Sequence, residues 1–257
     1  MDLMLEGKKA LITGGSKGIG KAIAEALAKE KVKVAIVARG KDDLDSTVEE
    51  IGGNKDGHIG FPIDLLDENG PTFLFKELQS GFGDPEIVVH NLGGSLAIRD
   101  PLCSINEWRK VWRLNMEIPI EINNLLIPIM EKSNWGRLVH ISSVSGLENL
   151  GPIPYCSAKA ALTAYSRSLG RVLASNGIAV SAVLPGAVYS IDGPWGIRTK
   201  EEPEEVAKYL REQTPMKRFS KPEEISSLVT FLCSPLASQC ASSVIPIDGG
   251  LGRSFTQ

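Results

Sequence analysis

Seven short apolar runs recur along the chain, and a stretch of helical pattern separates each run from the next. The runs are rich in β-branched residues and cover residues 9–13, 32–38, 58–63, 86–90, 136–141, 178–184 and 244–247. Strands that alternate with helices of this length form βαβ units, which close right-handed and build a parallel sheet covered on both faces. The alternation therefore predicts an α/β fold with a doubly wound sheet of seven parallel strands and helices on both faces.

The regular alternation also favours one domain. A chain of 257 residues is long enough for one large α/β domain, and α/β domains of this size often stay undivided. We therefore predict a single domain over residues 1–257. Residues 189–222 break the pattern because they are polar and contain several prolines. Since long loops in compact domains are usually functional, we predict a substrate lid here, with a short helix at 204–212.

Charge and cysteine usage narrow the choice of partners. The net charge of −3 gives no electrostatic reason to expect a nucleic acid or an anionic membrane. The first seven residues lack the basic start of a signal peptide, and no apolar run reaches the roughly 20 residues that span a bilayer. Four cysteines without a C-x-x-C pair suit a reducing compartment, and the three histidines are isolated in sequence. We expect a cytoplasmic protein with a small-molecule partner and no metal.

A glycine-rich turn follows the first predicted strand. Residues 13–20 read Thr-Gly-Gly-Ser-Lys-Gly-Ile-Gly, and a helical stretch follows at 21–29. Glycines let the backbone approach a pyrophosphate, while the unpaired N–H groups at a helix start supply donors and partial positive charge. The spacing G-x-x-x-G-x-G differs from the general dinucleotide fingerprint. The segment predicts a phosphate cradle, with an ordinary glycine-rich turn as the alternative.

Tyr155 and Lys159 lie four residues apart in a segment with a helical pattern. That spacing places both side chains on one helical face. A tyrosine has a pKa of about 10, and a nearby ammonium favours the phenolate and lowers that pKa. The pair therefore predicts an acid/base device. The alternative is a solvated surface pair, which is common on helices.

Taken together, six motifs resemble the classical short-chain dehydrogenase/reductase family. They occur in the expected order and span nearly the whole chain. The matching residues are Thr13, Gly14, Gly18 and Gly20; Asn115; Ser142 or Ser143; Tyr155 and Lys159; Pro185 and Gly186; and Asp248, Gly249 and Gly250. The resemblance implies a Rossmann-type domain that transfers a hydride between a nicotinamide and a ketone or secondary alcohol.

The resemblance assigns roles to the catalytic residues. Tyr155 gives a proton to the developing alkoxide, while Lys159 lowers the pKa of Tyr155 and reaches the nicotinamide ribose. Asn115 holds a water against Lys159, with a capping or kink-forming amide as the alternative role. A serine hydroxyl bonds the substrate oxygen. Ser143 fits the family's Ser-x-x-Gly pattern through Gly146, whereas the family's common spacing of thirteen residues to Tyr155 would select Ser142. We prefer Ser143, because adjacent strand-end side chains point to opposite faces and a loop can lose a residue more easily than a strand can flip.

The second predicted strand indicates which cofactor is used. NAD-binding proteins of this fold place an acidic residue about 20 positions after the glycines, whereas NADP-binding ones place an Arg nearby. Here the acidic position holds Ala38, and Arg39 follows it. Lys17 adds a second cation without a competing carboxylate. We therefore predict NADP(H), with two solvated surface charges as the alternative.

Further cofactor contacts come from the family resemblance. Asp64 takes the adenine amino group, with a turn cap as its alternative role. Leu92 replaces the small residue that the family places beside the adenosine ribose. The resemblance therefore does not fix the position of the backbone at Leu92. The full set of predicted cofactor residues is Gly14, Ser16, Lys17, Gly18, Ile19, Gly20, Arg39, Asp64, Leu65, Asn91, Gly93, Tyr155, Lys159, Pro185, Gly186, Val188 and Ser190.

The substrate is the least determined part of the prediction. Residues that we expect to line its pocket are Arg99, Glu148, Asn149, Asp192, Trp195, Arg198 and Lys200. Their charges slightly favour a polar or anionic substrate, whereas family resemblance favours a 3-oxoacyl thioester over a sugar-derived or other small polar ketone. An NADP sensor and a non-catalytic scaffold subunit are alternatives of another class. The resemblance also implies a homo-oligomer, either a dimer or a homotetramer.

Overall fold

The computed structural model describes residues 1–254 of the chain. Seven strands form one sheet, and their bounds are β1 Lys9–Thr13, β2 Lys33–Ala38, β3 Ile59–Pro62, β4 Ile87–His90, β5 Gly136–Ile141, β6 Ile178–Pro185 and β7 Val244–Ile247. The helices are α1 Gly18–Lys29, α2 Lys41–Glu50, α3 Gly70–Gly81, α4 Ile105–Trp112, α5 Ile118–Ser133, α6 Ile153–Leu173, α7 Pro194–Glu201, α8 Pro203–Gln213 and α9 Pro222–Cys233. None of the helices within these residues is both long and apolar enough to cross a bilayer.

All neighbouring strands run parallel, in the order β3-β2-β1-β4-β5-β6-β7. The predicted seven-stranded parallel sheet is therefore confirmed. The chain reverses its direction of travel across the sheet between β1 and β4. In open α/β sheets, ligands bind at such a switch point, outside the carboxyl ends of the strands. The topology directs attention to the loops after β1, β4, β5 and β6.

Each face of the sheet carries its own hydrophobic core. Ile12 of β1 packs on one face with residues of α1, α2 and α9. Leu11, the adjacent residue, packs on the other face with residues of α3, α5 and α6. Alternate side chains of a strand point to opposite faces, so a strand that is covered on both faces must be apolar throughout. This burial explains why the strands are recognisable as continuous apolar runs.

The helical stretch before β5 contains an irregular turn. Residues Arg113–Glu117 form a π-helical turn between α4 and α5. A π-turn accommodates an extra residue within a helix, and such turns are frequent at functional sites. Asn115, in the middle of this turn, is buried. The pattern at 107–130 predicts helix, and the structure adds this local departure from α geometry.

Residues 189–222, where we predict a lid, form an excursion that closes at its base. Tyr189 N–H donates to Ser220 O at 3.0 Å, and Ser220 N–H donates to Ala187 O at 2.9 Å. The helix expected at 204–212 is confirmed as α8, and an additional helix, α7, precedes it. The sequence gives little sign of α7, because it starts at Pro194 and contains Gly196, which disfavours a helix interior.

Two histidines that are isolated in sequence are stacked in the core. His90 and His140 are register partners on β4 and β5, and their ring centres are 4.8 Å apart. Asn123 bridges them, with its Oδ1 atom 2.8 Å from His90 Nε2 and its Nδ2 atom 3.2 Å from His140 Nε2. Burial lowers the pKa of His90 to about 4, and it lowers the pKa of His140 well below its ordinary value. Both rings are therefore neutral near pH 7.

We expect the buried histidines to make the fold acid-sensitive. An unfolded histidine binds a proton below about pH 6.5, whereas folded His90 resists protonation down to about pH 4. The contribution of His90 to the free energy of unfolding is therefore fully present above pH 6.5 and is lost as the pH drops towards 4. His90 alone accounts for a loss of about 3 kcal/mol in the free energy of unfolding. Urea unfolding at pH 7.5 and pH 4 measures this loss.

His90→Asn provides the comparison. We expect the variant to be less stable at pH 7.5, because it loses the hydrogen bond to Asn123. It should nevertheless lose about 3 kcal/mol less than the unaltered protein between the two pH values, because it lacks this titrating ring. Equal acid losses in both proteins would contradict the assignment.

Candidate active site

Tyr155, Lys159 and Ser143 meet beyond the carboxyl end of β5. Tyr155 and Lys159 lie in the first two turns of α6, and Ser143 lies two residues past β5. The Ser143 hydroxyl lies near enough to the Tyr155 phenol to lower its pKa, and it accepts the Ser145 N–H at 3.1 Å. The buried Lys159 ammonium lies 5.8 Å from the centre of the Tyr155 ring. The fold therefore brings a phenol, a hydroxyl and an ammonium together.

The neighbouring Ser142 has different contacts. Its hydroxyl donates to Lys159 O at 3.0 Å and lies 2.8 Å from the Thr163 hydroxyl. Adjacent residues of an extended chain point to opposite sides. Ser142 therefore holds α6 against the end of β5, while Ser143 faces Tyr155.

The expectation that Lys159 lowers the pKa of Tyr155 is wrong for this geometry. Removal of the phenol from water raises the pKa of Tyr155, and the hydrogen bond with Ser143 only partly opposes this rise. The Lys159 ammonium instead donates to Ile141 O at 2.8 Å, and burial lowers the pKa of Lys159 to about 7. Burial disfavours the charged form of both groups. Tyr155 is therefore a protonated donor at neutral pH, and Lys159 can exchange a proton near pH 7.

Asn115 holds the loop that follows β4. Its side-chain oxygen accepts Gly94 N–H at 3.0 Å, and its amide group donates to Gly94 O at 2.9 Å and to Val111 O at 2.8 Å. A Cβ atom on Gly93 would lie 2.8 Å from both Asn115 Oδ1 and Lys159 Nζ. Such contacts are too close, so only glycine lets the backbone pass here. Asn115 and Lys159 thus lie around Gly93, at the centre of the site.

The glycine-rich turn after β1 is tightly built. A Cβ atom on Gly20 would overlap Gly14 O and would lie 2.5 Å from the amide nitrogen of Asn91. That amide donates to Thr13 O at 3.1 Å and to Gly14 O at 2.9 Å. Asn91 therefore fixes the shape of the turn from the neighbouring strand β4.

A cleft of about 540 Å³ opens between this turn and the start of the 189–222 segment. Eight of the predicted cofactor residues line it, namely Ser16, Lys17, Gly18, Ile19, Asn91, Gly93, Val188 and Ser190. Seven further residues line it that the sequence analysis missed, namely Lys21, Asp43, Ser46, Thr47, Ile191, Gly193 and Pro194. The polar first turns of α2, which directly follow Arg39, were the available signal for Asp43, Ser46 and Thr47.

The donors and the size of the cleft fit a dinucleotide. Helix α1 begins at Gly18 without a cap from any side chain in residues 1–254, so its first N–H groups are open to the cleft that Gly18 and Ile19 line. A helix N-terminus of this kind attracts phosphate through its N–H donors and its partial positive charge. The volume lies within the range of about 300–1,000 Å³ that is typical of ligand pockets.

The two predicted phosphate-binding cations lie beside carboxylates. Lys17 Nζ is 3.0 Å from Asp43 Oδ2 and 3.2 Å from Asp192 Oδ2. Arg39 Nη1 is 3.8 Å from Asp64 Oδ2, and the Arg39 side chain is 70% exposed. The expectation that no carboxylate competes for these cations is therefore wrong. The pairing of Lys17 with Asp192 could not be predicted from the sequence, because the two residues are 175 positions apart in the chain.

Other predicted cofactor residues are engaged in the framework. Asp64 Oδ1 accepts Leu66 N–H at 2.9 Å, which is the turn-cap role named as its alternative. Leu65 is buried in the core. Gly186 follows Pro185, the last residue of β6, and donates its N–H to Ile247 O at 3.3 Å. These contacts set the positions of the loops that surround the cleft.

Leu92, the departure from the family pattern, points into the protein. Its side chain packs against the core on the face with α3 and α5, and its N–H donates to Thr13 Oγ1 at 3.0 Å. The larger side chain therefore leaves the backbone tied to β1.

Several predicted substrate-pocket residues bind other residues of the protein. Glu148 Oε1 accepts the backbone N–H groups of Arg253 and Ser254 at 2.7 and 2.6 Å. Arg198 Nε donates to Glu202 at 2.7 Å, and the Arg198 guanidinium lies over the ring of Trp195. Arg99, Asn149 and Lys200 are exposed. The slight preference for a polar or anionic substrate therefore loses much of its basis.

A family model described as enoyl-(acyl carrier protein) reductase matches residues 14–252. Among curated proteins, the chain is similar to the 3-oxoacyl-(acyl-carrier-protein) reductase FabG of Aquifex aeolicus (strain VF5). The two are 35% identical over 98% of this chain and 100% of that protein. The corresponding reductase FabG of Pseudomonas aeruginosa is 32% identical over 97% of this chain and 99% of its own length.

Two solved structures extend the comparison. The L-sorbose reductase of Gluconobacter frateurii, complexed with NADPH and L-sorbose, superposes with a TM-score of 0.90 at 30% identity, over 99% of this chain and 100% of that one. The Pseudomonas aeruginosa RhlG/NADP active-site complex superposes with a TM-score of 0.87 at 29% identity, over 97% and 98% of the two chains.

Proposed function

The chain belongs to the classical short-chain dehydrogenase/reductase family, and from this premise we propose that it is an NADPH-dependent reductase of 3-oxoacyl thioesters. It is an oxidoreductase of the C=O/CH–OH class that uses NADP(H). The finer assignment of the substrate and of the catalytic residues rests on the arguments that follow.

One observation carries the catalytic assignment. The Ser143 hydroxyl lies near enough to the Tyr155 phenol to lower its pKa, and Gly93 passes so close to Lys159 and Asn115 that a single added carbon would touch both. Gly93 also lines the cleft beyond the glycine-rich turn. A proton donor, an orienting hydroxyl and a dinucleotide-sized cleft therefore adjoin one another, which is what reduction of a carbonyl requires.

Each residue of the site has a distinct task in this proposal. When bound in the cleft, NADPH supplies the hydride. Ser143 donates a hydrogen bond to the substrate carbonyl oxygen and stabilises the negative charge that develops there. Tyr155 donates its proton to the same oxygen, because its raised pKa keeps it protonated at neutral pH. Lys159, with a pKa of about 7, supplies a proton reservoir nearby.

In this scheme Asn115 is a positioning residue for the loop after β4. It fixes Gly94 by two hydrogen bonds and thereby holds the loop that carries Gly93 against Lys159. The water that the family resemblance places between Asn115 and Lys159 belongs to the same proposal.

The relatives and the rim of the site support an acyl substrate. The curated relatives named above are 3-oxoacyl-(acyl-carrier-protein) reductases. Large apolar side chains are exposed in the segments after β4, β5 and β6, namely Leu96, Leu150, Ile153, Ile191 and Ile197. These segments leave the same edge of the sheet, where an apolar acyl chain would find contacts. In this scheme residues 189–222 are the lid.

A second candidate is a reductase of a sugar-derived or other small polar ketone. The observation that favours it is the match to L-sorbose reductase at a TM-score of 0.90. An NADP sensor or a non-catalytic scaffold subunit has less support, since neither role requires Ser143, Tyr155, Lys159 and Asn115 together.

A substrate panel separates these possibilities. NADPH oxidation is followed with 3-oxoacyl thioesters and with ketoses, and NADP reduction is followed with secondary alcohols. We expect the highest kcat/KM with a 3-oxoacyl thioester. A higher value with a ketose would favour the second candidate, and NADPH binding without any turnover would favour a sensor. Activity that requires mixing with another subunit would favour a scaffold.

The proposal also covers location and assembly. A cytoplasmic enzyme agrees with four cysteines that form no disulfide within residues 1–254. The substrate is a small molecule, and no nucleic acid or membrane partner is part of the scheme. A homo-oligomer, dimer or tetramer, is expected from family resemblance.

A further inference from the structure

Lys17 ties three parts of the protein together. It belongs to the glycine-rich turn, and its ammonium contacts Asp43 in the first turn of α2 at 3.0 Å. The same ammonium contacts Asp192, in the segment that follows β6, at 3.2 Å. A single cation thus bridges the cradle to a fixed helix on one side and to the 189–222 segment on the other.

These contacts lie inside the proposed cofactor cleft. Lys17, Asp43 and Asp192 all line it, and Ser190 lies close to Gly18, since a Cβ atom on Gly18 would be 3.5 Å from the Ser190 hydroxyl. The Lys17–Asp192 pair therefore holds the first residues of the 189–222 segment against the glycine-rich turn. Both side chains are more than half exposed, at 52% and 60%. Exposed ion pairs are weak, so a stronger anion can replace this one.

The two carboxylates differ in how firmly they are held. Asp43 belongs to α2, and Thr47 of the same helix donates its hydroxyl to Ser16 O at 3.1 Å and to Asp43 O at 2.8 Å. Asp43 is therefore fixed beside the turn. Asp192 is exposed and belongs to the short stretch between β6 and α7, so it can leave Lys17 without unfolding a core element.

We propose that Asp192 is a latch that the 2′-phosphate of NADP(H) opens by taking its place on Lys17. The inference rests on the cofactor of the proposed function. A phosphate monoester carries up to two negative charges and three acceptor oxygens, and it outcompetes a single carboxylate for an ammonium. Arg39, whose guanidinium is exposed and 3.8 Å from Asp64, adds a second cation for the same group.

The latch makes the position of the segment depend on the cofactor. A ligand with the 2′-phosphate displaces Asp192 and frees residues 189–194, whereas a ligand without it leaves the Lys17–Asp192 pair in place. Asp43 stays beside Lys17 whether or not the ligand carries the 2′-phosphate. It therefore weakens phosphate binding without changing the position of the 189–222 segment. Asp192 is therefore the residue that couples cofactor identity to the lid, while Asp43 sets affinity alone.

The test uses 2′,5′-ADP and 5′-ADP, which differ by the 2′-phosphate, on the full-length protein. Hydrogen exchange of residues 189–194 and equilibrium binding are measured with each probe. In the unaltered protein we expect 2′,5′-ADP to accelerate exchange in this segment and 5′-ADP to leave it unchanged. In Asp192→Asn, exchange should be fast without any ligand, and 2′,5′-ADP should bind about 2- to 5-fold more tightly.

Two further variants serve as controls. Asp43→Asn should bind 2′,5′-ADP more tightly but should retain the exchange response of the unaltered protein. Asp45→Asn removes a carboxylate of the same helix that pairs with Lys41 rather than with Lys17, and it should change neither measurement.

The outcomes separate this inference from the proposed function. If 2′,5′-ADP binds but exchange in 189–194 is unchanged or slowed, the latch is wrong and the cofactor assignment stands. Equal binding of 2′,5′-ADP by Asp192→Asn and the unaltered protein would likewise overturn the latch. If neither probe binds, the cofactor assignment fails, and the latch fails with it.

Discussion

Replacing Tyr155 by phenylalanine should reduce carbonyl reduction by about 10³-fold or more, since a general acid contributes about 10²–10⁴-fold to catalysis. The substitution removes only the hydroxyl that lies near Ser143. The ring, which packs against residues of α4 and α6, is retained. The loss should therefore appear in kcat, measured as NADPH oxidation with the best carbonyl substrate from the panel.

The control for Tyr155→Phe is a measurement of the variant's NADPH binding and melting temperature. Because the Tyr155 ring and its packing against α4 and α6 are retained, we expect the melting temperature to change little. NADPH should still bind, since the glycine-rich turn and the cleft remain intact. Turnover at the level of the unaltered enzyme would show that another group delivers the proton, and the catalytic assignment would then be wrong.

The strands and the glycine-rich turn could be predicted because their signals are local. A strand buried on both faces must be apolar along its length, as Leu11 and Ile12 show on opposite faces of β1. The glycine-rich turn leads into α1, whose first residue is not capped by a side chain in residues 1–254. Gly20 allows a close approach to Gly14 that a side chain would block. Sterics of this kind act over a few residues, so the sequence displays them directly.

What the sequence could not predict depends on contacts between distant residues. Lys17 meets Asp192 only after the sheet has formed, and the stacking of His90 on His140 follows from strand register. The raised pKa of Tyr155 depends on burial, which reverses the direction inferred from its spacing to Lys159. The π-helical turn around Asn115 adds a residue to a helix without a change in composition. Tertiary packing decides all four features.

Replacing Ser143 by alanine should lower kcat by about 10²–10³-fold, the loss that is typical when one oxyanion-stabilising donor is removed. The Ser143 hydroxyl faces Tyr155, so in the proposal it donates to the substrate oxygen as charge builds there. Its removal also leaves the buried Ser145 N–H without its acceptor at 3.1 Å, which should cost about 1–3 kcal/mol of stability. The measurement is kcat with a 3-oxoacyl thioester, together with the KM for the same substrate.

Ser142→Ala is the matched comparison, because the two serines are adjacent and the same atom is removed. The Ser142 hydroxyl contacts Lys159 O and the Thr163 hydroxyl rather than Tyr155. Its loss removes two hydrogen bonds of about 0.5–1.5 kcal/mol each, while Thr163 keeps its bond to Lys159 O, so the junction of β5 and α6 should lose about 1–3 kcal/mol. Turnover of the folded enzyme should fall far less than in Ser143→Ala. If Ser142→Ala instead lost more turnover while remaining as stable as the unaltered protein, the orienting hydroxyl would be that of Ser142.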